Sequence, residues 1–98
     1  MSLQPVTGWF CYKDENQYNE LKAIFQDANT LPSTFASWKQ QAEQGIQIEE
    51  SKGVLVIKAY PESIDDFIRF CRLNSKSLSS EGRTYFANIK AIEYLRRR

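Results

Sequence analysis

The stretch that decides the fold is residues 53–74, with the sequence GVLVIKAYPESIDDFIRFCRLN. Near its start, residues 54–57 form the only unbroken run of large aliphatic side chains, and three of the four are β-branched. This composition predicts a strand at residues 54–59 that is covered on both faces. Pro61, the cap residue Ser63 and Asp66 then predict a helix start. The helix ends near Asn74, and its apolar stripe consists of Ile64, Phe67, Ile68 and Cys71.

Three further elements are predicted before this stretch. Residues 6–12 read as a strand, and a helix that starts at Asp14 or Asn16 follows it. A second helix runs from the cap residue Ser33 to Gly45, where glycine is placed as the C-terminal stop. Residues 46–50 are predicted as a short strand with Ile46 and Ile48 inward. Residues 51–53 then predict a hairpin into the strand at 54–59.

A last helix is predicted after the polar connection at residues 75–80. It is capped by Ser79 or Ser80 and runs to about Arg96. The apolar side expected to face the core consists of Tyr85, Phe86, Ile89, Ile92 and Leu95. The predicted fold is therefore α+β in the order β-α-α-β-β-α-α: a three-stranded, mainly antiparallel sheet packed with four helices. Residues 54–59 are its central strand. Residues 1–98 form a single domain, with residues 1–5 disordered.

Composition excludes few classes of function. The net charge is +1, yet residues 1–50 carry a net charge of −4 and residues 51–98 a net charge of +5. This polarity favours charge-steered docking with another protein or with a second copy. No signal peptide or membrane-length apolar run is visible, so a cytoplasmic protein is expected. Cys11 and Cys71 occupy apolar positions and are expected to be free thiols in the core.

Two groups of residues resemble motifs of a family of small bacterial proteins. The first is Leu31-Pro32-Ser33-Thr34-Phe35 with Trp38; the second is Pro61-Glu62-Ser63 with Phe67 and Cys71-Arg72. In that family an LP-[ST]-T-[WF] helix start precedes a strand, a D-P-x-x-F turn and a (W/F)-C-R helix. Tyr60 replaces the acidic residue before the proline. The resemblance covers roughly residues 31–90 and implies no activity, because none is assigned to the family.

Catalytic constellations are hard to build from this composition. The chain has no histidine, which removes the commonest general base and metal ligand. Its four glycines are scattered, so neither a P-loop nor a dinucleotide fingerprint can form. The remaining candidates are Cys71, flanked by two arginines, and the acidic turn at residues 62–66. Both read better as structural features, and no catalytic residue, metal or cofactor is predicted.

Basic side chains on the last two helices are the surface feature that stands out. Opposite the apolar stripe of the last helix lie Arg83, Lys90, Tyr94, Arg97 and Arg98, and the third helix adds Arg69, Arg72 and Lys76. The predicted contact residues are Arg72, Arg83, Lys90, Tyr94 and Arg97, because arginine and tyrosine commonly anchor interfaces.

The sequence is therefore compatible with three functional hypotheses. The leading hypothesis is a non-enzymatic protein–protein interaction module, with self-association as a homodimer among its forms. The alternative is a nucleic-acid-binding protein that uses the basic faces of the third and fourth helices. The third is an enzyme that depends on Cys71 or on a carboxylate.

Overall fold

The computed structural model describes residues 4–97. Its elements in chain order are β1 (Val6–Phe10), α1 (Glu15–Ile24), a 3₁₀ turn (Ala28–Thr30), α2 (Phe35–Ser51), β2 (Leu55–Ala59), α3 (Ile64–Leu73) and α4 (Ser80–Arg96). Over these residues the chain is α+β with four α-helices, in agreement with the predicted class. What the sequence predicts for residues 1–3 and for Arg98 lies outside the described residues.

The sheet of the described residues has two strands, and they run parallel. β1 pairs with β2 in a register that places Val6 opposite Leu55 and Phe10 opposite Ala59. The predicted three-stranded, mainly antiparallel sheet is therefore wrong, and residues 54–59 are not its central strand. Parallel strands need a long crossover connection. Here α1, the 3₁₀ turn and α2 supply it.

The predicted strand at residues 46–50 is part of α2. Helical spacing places Ile46 beneath Ala42 in the core, whereas Ile48 turns outward and is 55% exposed. Gly53, which was predicted to close a hairpin, instead ends the helix at a φ of +87°. The Gly53 and Val54 amides donate to the Glu50 and Glu49 carbonyls, at 3.0 and 3.1 Å, in a Schellman arrangement. A hairpin turn and a helix end both favour glycine at this position, so the presence of Gly53 does not distinguish the two.

Helices cover both faces of the sheet. On one face α4 approaches β1 so closely that a Cβ on Gly8 would lie 2.0 Å from the Ala87 carbonyl oxygen. On the other face α2 packs against the sheet, and a Cβ on Gly45 would lie 2.6 Å from the Trp9 indole. Gly45 is therefore not a helix stop. It is a mid-helix position where the absence of a side chain makes room for Trp9.

The face of α4 that packs on the core differs from the predicted one. The buried residues are Gly82, Phe86, Ala87 and Ala91. Three of these four have small or no side chains, which allows the close approach to Gly8. Of the predicted stripe, Phe86 is buried, but Ile92 is 43% and Leu95 46% exposed. The helix is thus rotated relative to the prediction, because backbone proximity to β1 outweighs burial of the larger aliphatic residues.

Aromatic side chains form most of the core between the sheet, α1, α3 and α4. Phe10 contacts Phe67 and Phe86 with ring centroids 5.1 and 5.5 Å apart, and Tyr12 packs edge-on against Tyr18 at 4.8 Å. Such edge-to-face contacts add to the free energy gained by burial. α3 contributes Phe67 and Cys71, both buried, as its apolar spacing predicts.

Candidate protein-binding groove

A groove with a volume of about 520 Å³ lies between the end of β2 and the C-terminal half of α4. It is lined by Lys13, Ile57, Lys58, Ala59, Tyr60, Glu62, Lys90, Glu93, Tyr94 and Arg97. Residues 57–60 contribute consecutively to this lining. Because successive strand side chains point to opposite faces, we infer that the groove follows the edge of the strand and not one face.

We infer that the second edge of β2 lies at this groove and can pair with another strand. Within the described residues β2 pairs with β1 alone, so its second edge has no strand partner. An unpaired strand edge presents a row of backbone N–H and C=O groups that another chain can pair with. The groove therefore offers main-chain recognition as well as side-chain contacts.

A network of hydrogen bonds fixes the turn that follows β2. Gln17 is buried; its Nε2 donates to the Pro61 carbonyl at 3.1 Å, and its Oε1 accepts from the Lys13 amide at 2.8 Å. The Lys13 Nζ in turn donates to the Glu62 carbonyl at 3.1 Å. Tyr60 directly precedes this turn and is 42% exposed. A large, partly exposed ring is thus held at one end of the groove by a fixed backbone.

The groove carries more positive than negative charge. It is lined by four cationic side chains and two carboxylates. Lys13 pairs with Glu62 at 3.6 Å, and Lys90 pairs with Glu93 at 3.4 Å. The other two cations, Lys58 and Arg97, form no ion pair with any residue between 4 and 97. The uncompensated charge of the groove is therefore positive.

The predicted contact residues do not all reach this groove. Lys90, Tyr94 and Arg97 line it together. Arg72 is exposed on α3 and is not part of the lining. Sequence reasoning missed Lys13, Lys58 and Tyr60. These residues meet because the carboxyl ends of the two parallel strands lie at one edge, and the sequence carries no local signal for that parallel pairing.

Arg83 has a role inside the chain. Its two guanidinium nitrogens donate to the two carboxylate oxygens of Asp27 at 2.9 and 2.8 Å, and its side chain is 11% exposed. The guanidinium also lies 4.6 Å from the centre of the Phe25 ring. Asp27 further accepts from the Ser80 amide at 3.0 Å. Arg83 therefore joins the segment after α1 to the first turn of α4, and we leave it out of the binding surface.

Two of the three basic residues expected on the third helix also have partners within the chain, and one of them, Lys76, lies beyond the end of α3 at Leu73. Arg69 pairs with Asp66 at 3.6 Å, and the Lys76 ammonium lies 4.8 Å from the centre of the Tyr85 ring. Together with the Asp27–Arg83 pair, these contacts divide the cationic surface expected from the sequence. Four cationic side chains remain grouped at the groove.

A smaller cleft of about 170 Å³ lies on the α2 side of the same sheet end. It shares Lys13, Lys58 and Tyr60 with the groove, and Phe35 and Trp38 form part of its wall. No buried side-chain nitrogen or oxygen among the described residues lacks a hydrogen-bond partner. The cleft therefore shows no unsatisfied polar group directed at a small ligand, and we treat it as an extension of the groove.

The candidate nucleophile Cys71 and the second cysteine, Cys11, both lie in the core. Cys71 is buried, as predicted, and burial raises the pKa of its thiol. Burial likewise raises the pKa of Cys11 to about 11. Between residues 4 and 97, no three histidine, cysteine or acidic side chains are grouped to hold a metal ion. No helix in that range is long and apolar enough to cross a membrane.

No family model, curated protein or solved structure matches the chain. The resemblance to small bacterial proteins therefore stays a prediction.

Proposed function

We propose that the protein is a non-enzymatic interaction module that binds an extended, acidic segment of a partner protein along the open edge of β2. The observation that carries this proposal is a groove beside an edge of β2 that has no strand partner among the described residues. The groove holds two cations, Lys58 and Arg97, that form no ion pair within residues 4–97. The proposal keeps Lys90, Tyr94 and Arg97 from the sequence prediction and adds Lys58 and Tyr60.

An extended segment suits the groove because main-chain pairing needs no particular side chain. β2 is five residues long, so a partner strand of similar length would pair over about 17 Å. Side chains of such a segment would alternate between the α4 side, near Lys90 and Tyr94, and the side of Lys58. Main-chain hydrogen bonds would then provide affinity, and the alternate side chains would provide specificity.

Acidic side chains on the partner follow from the charge of the groove. Lys58 lies within the β2 ladder and Arg97 just beyond the end of α4, so the two would neutralise carboxylates at different points along the segment. Tyr60 adds a rigid, amphipathic ring of the kind that is enriched among residues with large contributions to binding. The contribution of these charges to binding should fall as the salt concentration rises, because salt screens exposed ion pairs.

The experiment is fluorescence anisotropy with a labelled ten-residue peptide of alternating glutamate and valine, and with a lysine–valine peptide as its control. We expect the wild-type protein to bind the glutamate peptide at low salt and not the lysine peptide. Lys58→Glu and Arg97→Glu should each weaken binding by about tenfold, as expected for charged contacts in a partly exposed site. Lys52→Glu makes the same charge change away from the groove and should bind like the wild type. Equal binding of both peptides, or no binding at all, would contradict the proposal.

A single-stranded and a duplex oligonucleotide test the nucleic-acid alternative in the same assay. Phosphate contacts are strongest at low salt, so about 50 mM is the appropriate condition. Binding of an oligonucleotide without binding of the acidic peptide would replace the proposed function with the alternative. The ion pairs of Arg69, Arg83 and Lys90 argue against that outcome, because they reduce the basic faces on which it depends.

A further inference from the structure

The outer face of α4 carries an apolar stripe that the fold covers only in part, at its N-terminal end. It consists of Tyr85, Ile89, Ile92 and Leu95, which we call the outer stripe. Tyr85 and Ile89 are half-buried, and Ile92 and Leu95 are more exposed still. Tyr85 contacts Phe70 of α3 at a ring-centroid distance of 5.8 Å, so the N-terminal end of the stripe is partly sheltered and its C-terminal end is open.

Opposite charges lie at the two ends of this stripe. At about 100° per residue, Glu81, Tyr85, Ile89, Ile92 and Arg96 fall within about 80° of one another. Glu81 is in the first turn of α4 and Arg96 is in the last, and both are exposed. Arg96 forms no ion pair with another residue of the described range. The stripe therefore has a negative end, an apolar middle and a positive end.

We propose that the outer stripe binds a second copy of this chain, with the two α4 helices antiparallel about a two-fold axis. The midpoint between Tyr85 and Ile92 in the sequence is also the midpoint between Glu81 and Arg96. One antiparallel register therefore places Tyr85 opposite Ile92 of the second copy and, at both ends, Glu81 opposite Arg96 of the second copy. This self-complementarity is what an isologous interface requires, and it favours a second copy over an unrelated partner.

The inference concerns a different surface from the proposed function. Lys90, Tyr94 and Arg97 line the groove on the side of α4 that faces the sheet, whereas the outer stripe faces away from it. Binding of an acidic segment and dimerisation are therefore independent, and failure of one leaves the other standing. One helix buries less than the roughly 800 Å² per partner of a typical stable interface, so we expect a weak dimer.

The test is sedimentation analysis at concentrations on the order of 100 μM, where a weak dimer of this interface size is detectable. Wild type should show a monomer–dimer equilibrium. Arg96→Glu and Glu81→Lys each place like charges together at both ends and should each weaken dimerisation by about tenfold. An equimolar mixture of the two variants pairs opposite charges at both ends and should restore the dimer as a heterodimer. Arg97→Glu makes the same charge change on the groove side and should dimerise like the wild type.

Two further measurements keep the result interpretable. Glu81 accepts a hydrogen bond from the Ser77 amide at 2.9 Å, so circular dichroism must show that Glu81→Lys is folded. Ile92→Glu changes an exposed position and should abolish the dimer without loss of fold. A monomeric wild type would overturn the inference. So would a mixture that stays monomeric, or an Arg97→Glu variant that is affected as strongly as Arg96→Glu.

Discussion

Asp27 and Arg83 form the least exposed ion pair among the described residues, and their geometry is bidentate. Replacing Asp27 by Asn removes the charge while keeping the shape, and leaves a largely buried guanidinium poorly paired. We expect a loss of about 2 kcal/mol in the free energy of unfolding, the range of charge-assisted hydrogen bonds. Urea denaturation measures it. Lys52→Gln removes the exposed Lys52–Glu49 pair and should change stability little.

The Asp27–Arg83 pair also makes the free energy of unfolding depend on pH in the acidic range. The hydrogen bond from Arg83 lowers the pKa of Asp27 in the folded protein. Ionised Asp27 therefore contributes fully to the free energy of unfolding above the unfolded-state pKa of about 3.9. This contribution is lost as the pH falls through the pKa of Asp27 in the folded protein. Below about pH 4 the unfolding free energy of wild type should thus decline more steeply than that of Asp27→Asn. Parallel curves for the two proteins would contradict this assignment.

The absence of a side chain at Gly8 allows the backbone of α4 to approach β1 closely. In Gly8→Ala the added methyl group would meet the Ala87 carbonyl, a backbone atom that cannot rotate away. We expect a loss of about 3 kcal/mol or more, the upper range for overpacking. Gly53→Ala has no atom within 4 Å of the added carbon and suffers only from its positive φ, at a cost of about 1 kcal/mol. Thermal or urea unfolding of the two variants compares these effects.

At the scale of elements, the helical state of residues 46–50 is directly testable at Gln47. This side chain is exposed, so intrinsic propensity decides the effect of substitution. In a helix, Gln47→Ala should be more stable than Gln47→Thr by about 0.5 kcal/mol. A strand would reverse this order. Urea denaturation of the two variants distinguishes the structures, and greater stability of the threonine variant would contradict the helix.

Most element positions were predictable, and the pairing of elements was not. Asp14 and Ser63 cap their helices as the sequence indicates, because capping depends on residues three positions apart. The end of α2 was misplaced because Gly45 and Gly53 carry the same local signal for different reasons. One gives room to Trp9, and the other ends the helix. Which glycine ends the helix depends on a contact with a residue 36 positions away.

For the candidate site, too, local spacing was predictable from the sequence and contacts between distant elements were not. Spacing along α4 placed Lys90, Tyr94 and Arg97 on one face, since residues three and four apart share a helix face, and these three residues line the groove. The spacing did not show that this face points toward the sheet. That orientation depends on the close approach of Ala87 in α4 to Gly8 in β1. Lys58 and Tyr60 join the groove through the parallel pairing of β1 and β2. No local pattern encodes that pairing.

For the molecule as a whole, both thiols should report on unfolding. Cys11 and Cys71 are buried, and the pKa of Cys11 is raised to about 11. At pH 8 the thiolate fraction of Cys11 in the folded protein should therefore be on the order of 10²-fold below that of an unfolded cysteine. We expect iodoacetamide to label the native protein slowly and the urea-unfolded protein quickly, as mass spectrometry would show. Fast labelling of Cys71 in native protein would contradict its place in the core.

The parallel pairing of β1 and β2 also has a consequence for synthesis on the ribosome. The strand partner of β1 is made 49 positions later in register, and α4, which covers one face of β1, is made later still. Until then Trp9 and Phe10 have neither a neighbouring strand nor a complete core around them. The nascent chain therefore carries an unprotected aromatic strand until β2 and α4 have been made, and chaperones that bind exposed apolar segments should recognise it during that interval.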